Sequence, residues 1–381
     1  MDKHIPQGYK ESPLGIIPEG WEVKRLGDLC LDIYSGRNKT RIDSGTYPVY
    51  GSTGIIGKTN EYQYEGEKVL VARVGAHAGQ VGLASGKYDV SDNTIIVENK
   101  DYYSLYFAYQ QLIAANLNKM VFGSGQPLIT AGMLKRMFVI YPPYEEQELI
   151  NSVLKLWDTA IEKQSELIEN FKLRKRALMQ QLLTGKKRLP GFSEEWKEVK
   201  LGDIFDERNE INRDNLPLLS ITGDKGVIYQ SESDKRDISN DDKSKYKRIC
   251  PNDIGYNTMR MWQGRSALSN IEGIVSPAYT IVTPHKNVDV RFMAMLIQQP
   301  RIVYDFWTHS QGLVSDTLNC KYPDFCQVKV RIPSKEGQTA IADMLYDFDK
   351  EINLANEKLA SLQSQKRGLM QQLLTGKKRI I

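Results

Sequence analysis

The stretch Gly51-Ser-Thr-Gly-Ile-Ile-Gly-Lys-Thr59 carries the residue types of a phosphate-binding loop. Such a loop needs G-x-x-x-x-G-K-[ST], because its backbone N–H groups wrap the phosphates while the lysine reaches the outer ones. Gly57-Lys58-Thr59 supplies the closing end. The opening glycine should stand at 52, which is serine, and Gly51 is one residue early. The loop must also open a helix whose N–H groups face the phosphates. The sequence that follows, NEYQYEGEKVLVARVG, reads instead as a turn and then a strand. The stretch is better read as a flexible glycine turn that lets the backbone approach a partner closely.

Other chemistries fail in similar ways. Tyr141-Pro-Pro-Tyr144 is one residue from the [DN]-P-P-[YF] pattern of amino-methyltransferases, but a tyrosine cannot accept the target amine's hydrogen bond as a side-chain carbonyl does. Phe122-Gly-Ser-Gly125 has the look of a cofactor loop, yet lies too close to that stretch for the βα units such a fold needs. Glu22-Val23-Lys24 and Glu198-Val199-Lys200 echo the E-x-K of metal-dependent nucleases, but sit one residue out of register in the repeat described below and read as a charged strand rim. Cys30, Cys250, Cys320 and Cys326 lack CxxC spacing, and His4, His77, His285 and His309 are scattered, so no metal site is expected and reduced thiols of a cytoplasmic protein are.

What remains are polar loops rich in Arg, Asn and Gln. In the first half these are Arg37, Asn38, Lys39 and Arg41, then Ser52, Thr53 and Lys58, then Arg73, His77 and Gln126. In the second they are Asn209 and Arg213, then Arg260, Trp262 and Gln263, then His309 and Gln311. Arg pairs with guanine, and Asn or Gln with adenine, on the edges exposed in a DNA major groove. From Lys172 to Ser193 the chain carries several bases and no acid, which reads either as a solvated helix face or as a stripe suited to a polyanion. Overall charge is a mild +4, from 51 Lys and Arg against 47 Asp and Glu, so distribution rather than sum carries this reading.

The elements that must position these loops are announced by an internal repeat. KRALMQQLLTGKKR at 175–188 returns as KRGLMQQLLTGKKR at 366–379, and the same spacing aligns Pro142, Glu145, Gln147 and Ile150 with Pro333, Glu336, Gln338 and Ile341. Trp21, Leu26, Gly27 and Asp28 match Trp196, Leu201, Gly202 and Asp203 at a shorter spacing, and Gly79 and Ser91 match Gly264 and Ser276 at an intermediate one. The chain is therefore two units, each a variable globular part followed by a near-constant segment. Prolines, acids in the first turn, and a glycine before Lys-Lys-Arg mark each segment as a long capped helix. Trp157, Ile161, Ile168, Phe171, Leu178 and Leu182 in the first helix step by fours and threes or their sums, as do Phe348, Ile352, Leu359, Leu362, Leu369 and Leu373 in the second. Lys175 and Lys366 interrupt these seams at equivalent slots. They are expected to snorkel to water; fixing the helix register is the alternative.

The globular parts predict short strands at VLVARVG, NTIIVE, MFVIYPP, DIGYN, AYTIVTP and VKVRIP, with helices at LYFAYQQLIAAN and VRFMAMLIQQ. The fold class is α+β: two α/β domains joined by two long helices in an antiparallel coiled coil with pseudo-two-fold symmetry. Domain 1 is set at 1–142, the central helix at 143–188, domain 2 at 189–332, and the C-terminal helix at 333–381. From Trp157 to Leu182 a helix spans about 39 Å, close to the ~34–36 Å of one DNA turn that separates half-sites for dimeric readers. No apolar run approaches the ~18 residues of a membrane span, and the N-terminus has no secretory h-region.

This arrangement resembles the specificity subunit of type I restriction–modification enzymes. The paired helices ending in L-L-T-G-K-K-R behind two dissimilar domains carry the resemblance across nearly the whole chain. LPGFSEEW, GSTGIIG and EGIVSPAY add to it. It implies a non-catalytic chain that binds double-stranded DNA and two methyltransferase subunits, each domain reading half of a bipartite asymmetric site. S-adenosylmethionine, ATP and magnesium would belong to the methyltransferase and motor-nuclease partner subunits. A methyltransferase-only complex, or a coiled-coil scaffold that binds protein alone, are the alternatives.

Overall fold

A computed structural model describes residues 5–120, 128–223, 225–233, 239, 241–312 and 317–380. The chain divides into two compact units. The first comprises Met1–Glu166 with Asn356–Ile381, and the second comprises Leu167–Ala355. The two 39-residue helices, Tyr144–Leu182 (the central helix) and Lys335–Leu373 (the distal helix), each give one part to each unit.

In the first unit an antiparallel sheet has the order Cys30–Ser35, Thr94–Asn99, Lys68–Ala72, Val81–Ala84. Its continuous apolar runs, such as Val69, Val71, Ile95 and Val97, are fully buried because the sheet is covered on one face by the helix Leu105–Ala114 and on the other by a second layer. That second layer is a four-stranded sheet ordered Gly54–Thr59, Tyr47–Gly51, Lys87–Val90, Tyr64–Glu65.

The second unit repeats the first sheet strand for strand: Phe205–Glu207, Tyr279–Pro284, Ile254–Asn257, Ser266–Leu268. The helix Val290–Leu296 stands where Leu105–Ala114 does in the first. The second layer keeps the order of the first, Val227–Tyr229, Leu219–Ile221, Gly273–Val275, Lys247–Ile249, but its central parallel contact is reduced to a single bridge between Leu218 and Ile274.

Each unit also pairs an N-terminal strand with the strand leading into its long helix. Tyr141 faces Glu22 and Phe138 faces Arg25; Ile332 faces Lys197 and Lys329 faces Lys200. Glu22 thus corresponds to Lys197, not Glu198, and the two E-x-K triplets occupy different places. Glu22 instead forms an ion pair with Lys24 at 2.8 Å, which holds its carboxyl below the usual range through their hydrogen bond.

Within each unit the first half of one long helix lies against the last half of the other, so the helices run antiparallel. Ile150 and Leu154 share a core with Met370, Leu373 and Leu374 in the first unit; Leu182 and Leu183 share one with Ile341, Ala342 and Leu345 in the second. Ile168, Leu182 and Leu373 are buried, and Trp157, Ile161, Phe171, Leu178, Phe348, Ile352, Leu359, Leu362 and Leu369 are half-buried.

The seam lysines do not snorkel to water as expected. Lys366 reaches Asp158 on the central helix at 2.5 Å, and Lys175 reaches Asp349 on the distal helix at 2.5 Å. Each ammonium finds a carboxylate on the facing helix, at equivalent places in the repeat, and the Lys366 side chain is only 12% exposed. A paired charge at a partly buried seam position costs less than an unpaired one.

Each long helix ends on a glycine with positive φ, Gly185 at 68° and Gly376 at 71°, where a larger residue would be strained. The turn is closed by bonds from Lys187 N–H to the Gln181 carbonyl and from Lys378 N–H to that of Gln372, both 3.1 Å. A Cβ on Gly376 would stand 3.0 Å from the Trp21 ring, and one on Gly185 3.4 Å from that of Trp196. The repeated glycine and tryptophan are thus two halves of one contact.

Candidate nucleic-acid interface

In the first unit the structure gathers two candidate loops. Arg37, Asn38, Lys39 and Lys58 line one cleft of about 470 Å³, together with Thr40, Asn60 and Gln63. The entry to the 37–41 loop is fixed by Gly36, because any Cβ there would stand 2.3 Å from the Val90 carbonyl oxygen. Asn38 is less free than its sequence position suggests: its amide donates to the buried Asp89 carboxylate at 2.6 Å. Arg37, Lys39, Arg41 and Lys58 are exposed.

The GSTGIIGKT stretch is a β-hairpin rather than a flexible glycine turn. Gly51 pairs with Gly54 across a two-residue turn made by Ser52 and Thr53, and Gly51 is buried against Ile56. The sheet pairing on both sides of Tyr47–Gly51 supplies the rigidity that the glycine content hides. Ser52 and Arg73 converge elsewhere, on the turn at 92–93: the Ser52 hydroxyl donates to the Asn93 carbonyl at 3.1 Å and Arg73 to that of Asp92 at 3.4 Å. His77 lies apart from both groups, with Nδ1 3.1 Å from the Gln80 side-chain oxygen. Gln126 and the Phe122–Gly125 loop lie outside the described residues.

In the second unit Arg260 and Gln263 line a cleft of about 300 Å³ with Arg265, Asn257, Thr222 and Gly223. Trp262, between the two, is half-buried, and its indole N–H donates to the Met259 carbonyl at 3.0 Å. His309 caps its own helix, Pro300–His309, with Nδ1 2.7 Å from the Asp305 carbonyl, and lines a different cleft with Arg301, Lys329 and Arg331. The Gln311 amide is spent on Asp324 at 2.9 Å.

Asn209 and Arg213 are exposed on a loop whose root is an ion-pair network. Arg208 binds the buried Asp253 at 2.6 Å and Glu210 at 2.6 Å; Arg248 binds Glu210 at 2.7 Å and Glu272 at 2.6 Å. Hydrogen bonds from Arg248 and Arg208 hold the Glu210 carboxyl below its ordinary range. Arg208 and Arg248 are thus committed to holding the loop.

Sequence reasoning missed Arg265, which lines the cleft with Arg260 and Gln263. The spacing that aligns Gly79 with Gly264 also aligns Gln80 with Arg265, so the signal was one residue away. Among the described residues no cluster of His, Cys, Asp or Glu could hold a metal ion, and no helix is long and apolar enough to cross a membrane. Burial pushes the Cys30 and Cys320 thiols up to about 12, which leaves both as inert core groups.

The repeated units have a counterpart among known proteins. A family model described as the type I restriction modification DNA specificity domain matches residues 18–170 and again 193–364.

This chain belongs to the type I restriction–modification DNA specificity family.

It carries the family's domain twice, one copy over each globular part. The type I restriction enzyme MjaVIII specificity subunit of Methanocaldococcus jannaschii is 24% identical over all of this chain and 98% of its own length. The EcoprrI specificity subunit of Escherichia coli is 31% identical over 31% of this chain and 29% of its own. Among solved structures, the type I restriction–modification S subunit of M. genitalium superposes with a TM-score of 0.58 at 17% identity, covering 93% of this chain and 96% of that one. A chain solved in work on complex assembly and conformational transition of the type I R-M system gives 0.59 at 14% identity, covering 95% and 99%. At such identities these specificity-family structures share the fold with this chain.

Proposed function

We propose that this specificity subunit reads DNA for partner enzymes and performs no chemistry itself. Each unit reads one half of a bipartite asymmetric site. The two long helices set the unread gap and dock two methyltransferase subunits, which bring S-adenosylmethionine and methylate adenine. Motor-nuclease subunits, using ATP and magnesium, complete the restriction enzyme. The domain limits proposed for this division of labour are 1–142 and 189–332, with helices 143–188 and 333–381 between and after them, and the setting is the cytoplasm.

The observation that carries this reading is the contrast inside each unit. The helices agree to the level of a repeated Lys–Asp ion pair, whereas the polar clefts are lined by different side chains in the two units. Helices with matched ends and a matched ion pair suit identical partner subunits, and unlike clefts suit unlike DNA sequences. Arg37, Lys39, Arg41 and Lys58 in one unit, with Arg260 and Gln263 in the other, are the best-placed readers. Deleting the gene is expected to erase one bipartite adenine-methylation motif from the host genome, read by methylome sequencing. An unchanged methylome would reject the assignment.

A further inference from the structure

The cleft of the second unit is built on a loop with an arginine at each end. Arg260 and Arg265 stand at the two ends of a loop closed by its own backbone. The Arg260 carbonyl accepts from Gln263 N–H at 2.9 Å and Arg265 N–H at 3.4 Å, Gly264 N–H returns to Met261 at 2.8 Å, and Asn257 N–H binds the Arg265 carbonyl at 2.9 Å. The Arg265 backbone is thus welded to the end of the strand Ile254–Asn257, next to the strand Ser266–Leu268. Its guanidinium then lies directly over Gly223: a Cβ built there would be 2.6 Å from Nη1.

The ion pairs of this unit sharpen the point. Arg208, Arg248 and Arg291 each bind two carboxylates. Arg265 forms no ion pair among the described residues, is exposed, and faces a cleft whose other polar groups are uncharged or basic: Asn257, Gln263, Thr222 and Arg260. A guanidinium held on a rigid loop with its fork free is preorganised for two parallel acceptors in one plane. In duplex DNA the O6 and N7 edge of guanine offers that pair in the major groove.

We propose that Arg265 is the guanine-reading residue of the second unit, and that Gly223 is a specificity-positioning residue whose missing side chain seats it. This rests on the reading of the second unit as a DNA reader.

The test uses the full chain assembled with its methyltransferase subunits and a pool of randomised duplexes, with bound sequences and methylated motifs both read out. One half-site is expected to contain a G·C pair. In Arg265→Ala the preference for that pair over the alternatives is expected to fall by about 10- to 100-fold, since a good bidentate contact discriminates on that scale, and the other half-site should stay unchanged. Arg265→Lys keeps the charge but not the fork and should relax the same position. Gly223→Ala retains both, and only the flexible end of Arg265 stands in the way of its Cβ. It is expected to relax the same base pair with no change in melting temperature or in binding to random DNA.

Uniform weakening on every sequence in Arg265→Ala, with a shallower salt dependence, would identify a phosphate contact and overturn the proposal. So would a Gly223→Ala variant with unaltered preference, or half-sites without G·C. A wild-type complex with no sequence preference at all would instead overturn the DNA-reading assignment itself. That outcome is distinguishable from the others because both half-sites would be missing.

Discussion

The ends of the two long helices meet their tryptophans in different company. In the first unit the Trp21 indole donates to Glu146 at 3.0 Å, and Arg379 clasps the same carboxylate at 2.7 Å. In the second, the residue equivalent to Glu146 is Gly337, and the arginine equivalent to Arg379, Arg188, lies over the Trp196 ring at 5.1 Å. One arginine pairs with a charge and the other with an aromatic face, at equivalent helix ends that each bury a tryptophan. The shape of the joint is repeated while its chemistry has drifted. A structural contact tolerates such drift because burial of the ring supplies most of its energy.

The largest effect should come from the glutamines that both units share. Gln147 is buried, accepts from Ser104 N–H at 2.8 Å and donates to the carbonyls of Pro142 at 3.0 Å and Tyr102 at 3.3 Å. Gln338 accepts from Asp289 N–H at 3.0 Å and donates to the Pro333 carbonyl at 3.0 Å. Gln147→Ala is expected to cost about 3 kcal/mol and Gln338→Ala about 2 kcal/mol, in proportion to the buried backbone groups each would orphan. Denaturant unfolding measures the cost, and hydrogen exchange should place the loosening at the start of the affected long helix. If either change left its unit as stable as before, the two joints would not be equivalent.

A smaller difference should separate the seam lysines. Lys366→Ala is expected to cost about 1–2 kcal/mol, because its side chain is 12% exposed and Asp158 loses its cation. Lys175→Ala should cost less than about 1 kcal/mol, with Lys175 20% and Asp349 46% exposed to screening water. Asp158 is also held by the Tyr106 hydroxyl and by Gln110, an anchorage from its own globular part. A reversed order in thermal melts would show that this extra anchorage, not burial, decides the cost. Of the same small order should be Glu146→Ala, under about 1 kcal/mol, which strips the first joint of the carboxylate that the second lacks. Trp21 fluorescence reports the lost indole partner, and an unmoved spectrum would argue against the contact.

The repeat made much of this fold legible. Spacing in Trp157–Leu182 and Phe348–Leu373 gave both helices, and the apolar runs around Val69 and Ile95 gave sheet strands, because these signals are local. The partners of Lys175 and Lys366 are not legible, although Asp158 and Asp349 stand at the spacing of the repeat: pairing them requires the helices to be laid antiparallel at a definite register. The hairpin at Tyr47–Thr59 was hidden because its rigidity comes from distant neighbours, such as Lys87–Val90. Arg265 was passed over for a related reason. What sets it apart is the space over Gly223, 42 residues away in sequence, and the commitment of Arg208 and Arg248 elsewhere.

The grip of Gln147 and Gln338 touches main-chain atoms only. An amide that holds peptide groups is blind to which side chains surround them. Mutation, or recombination between related genes, can therefore rewrite the outward-facing loops of either half without loosening the hinge-pin that fastens that half to its rod.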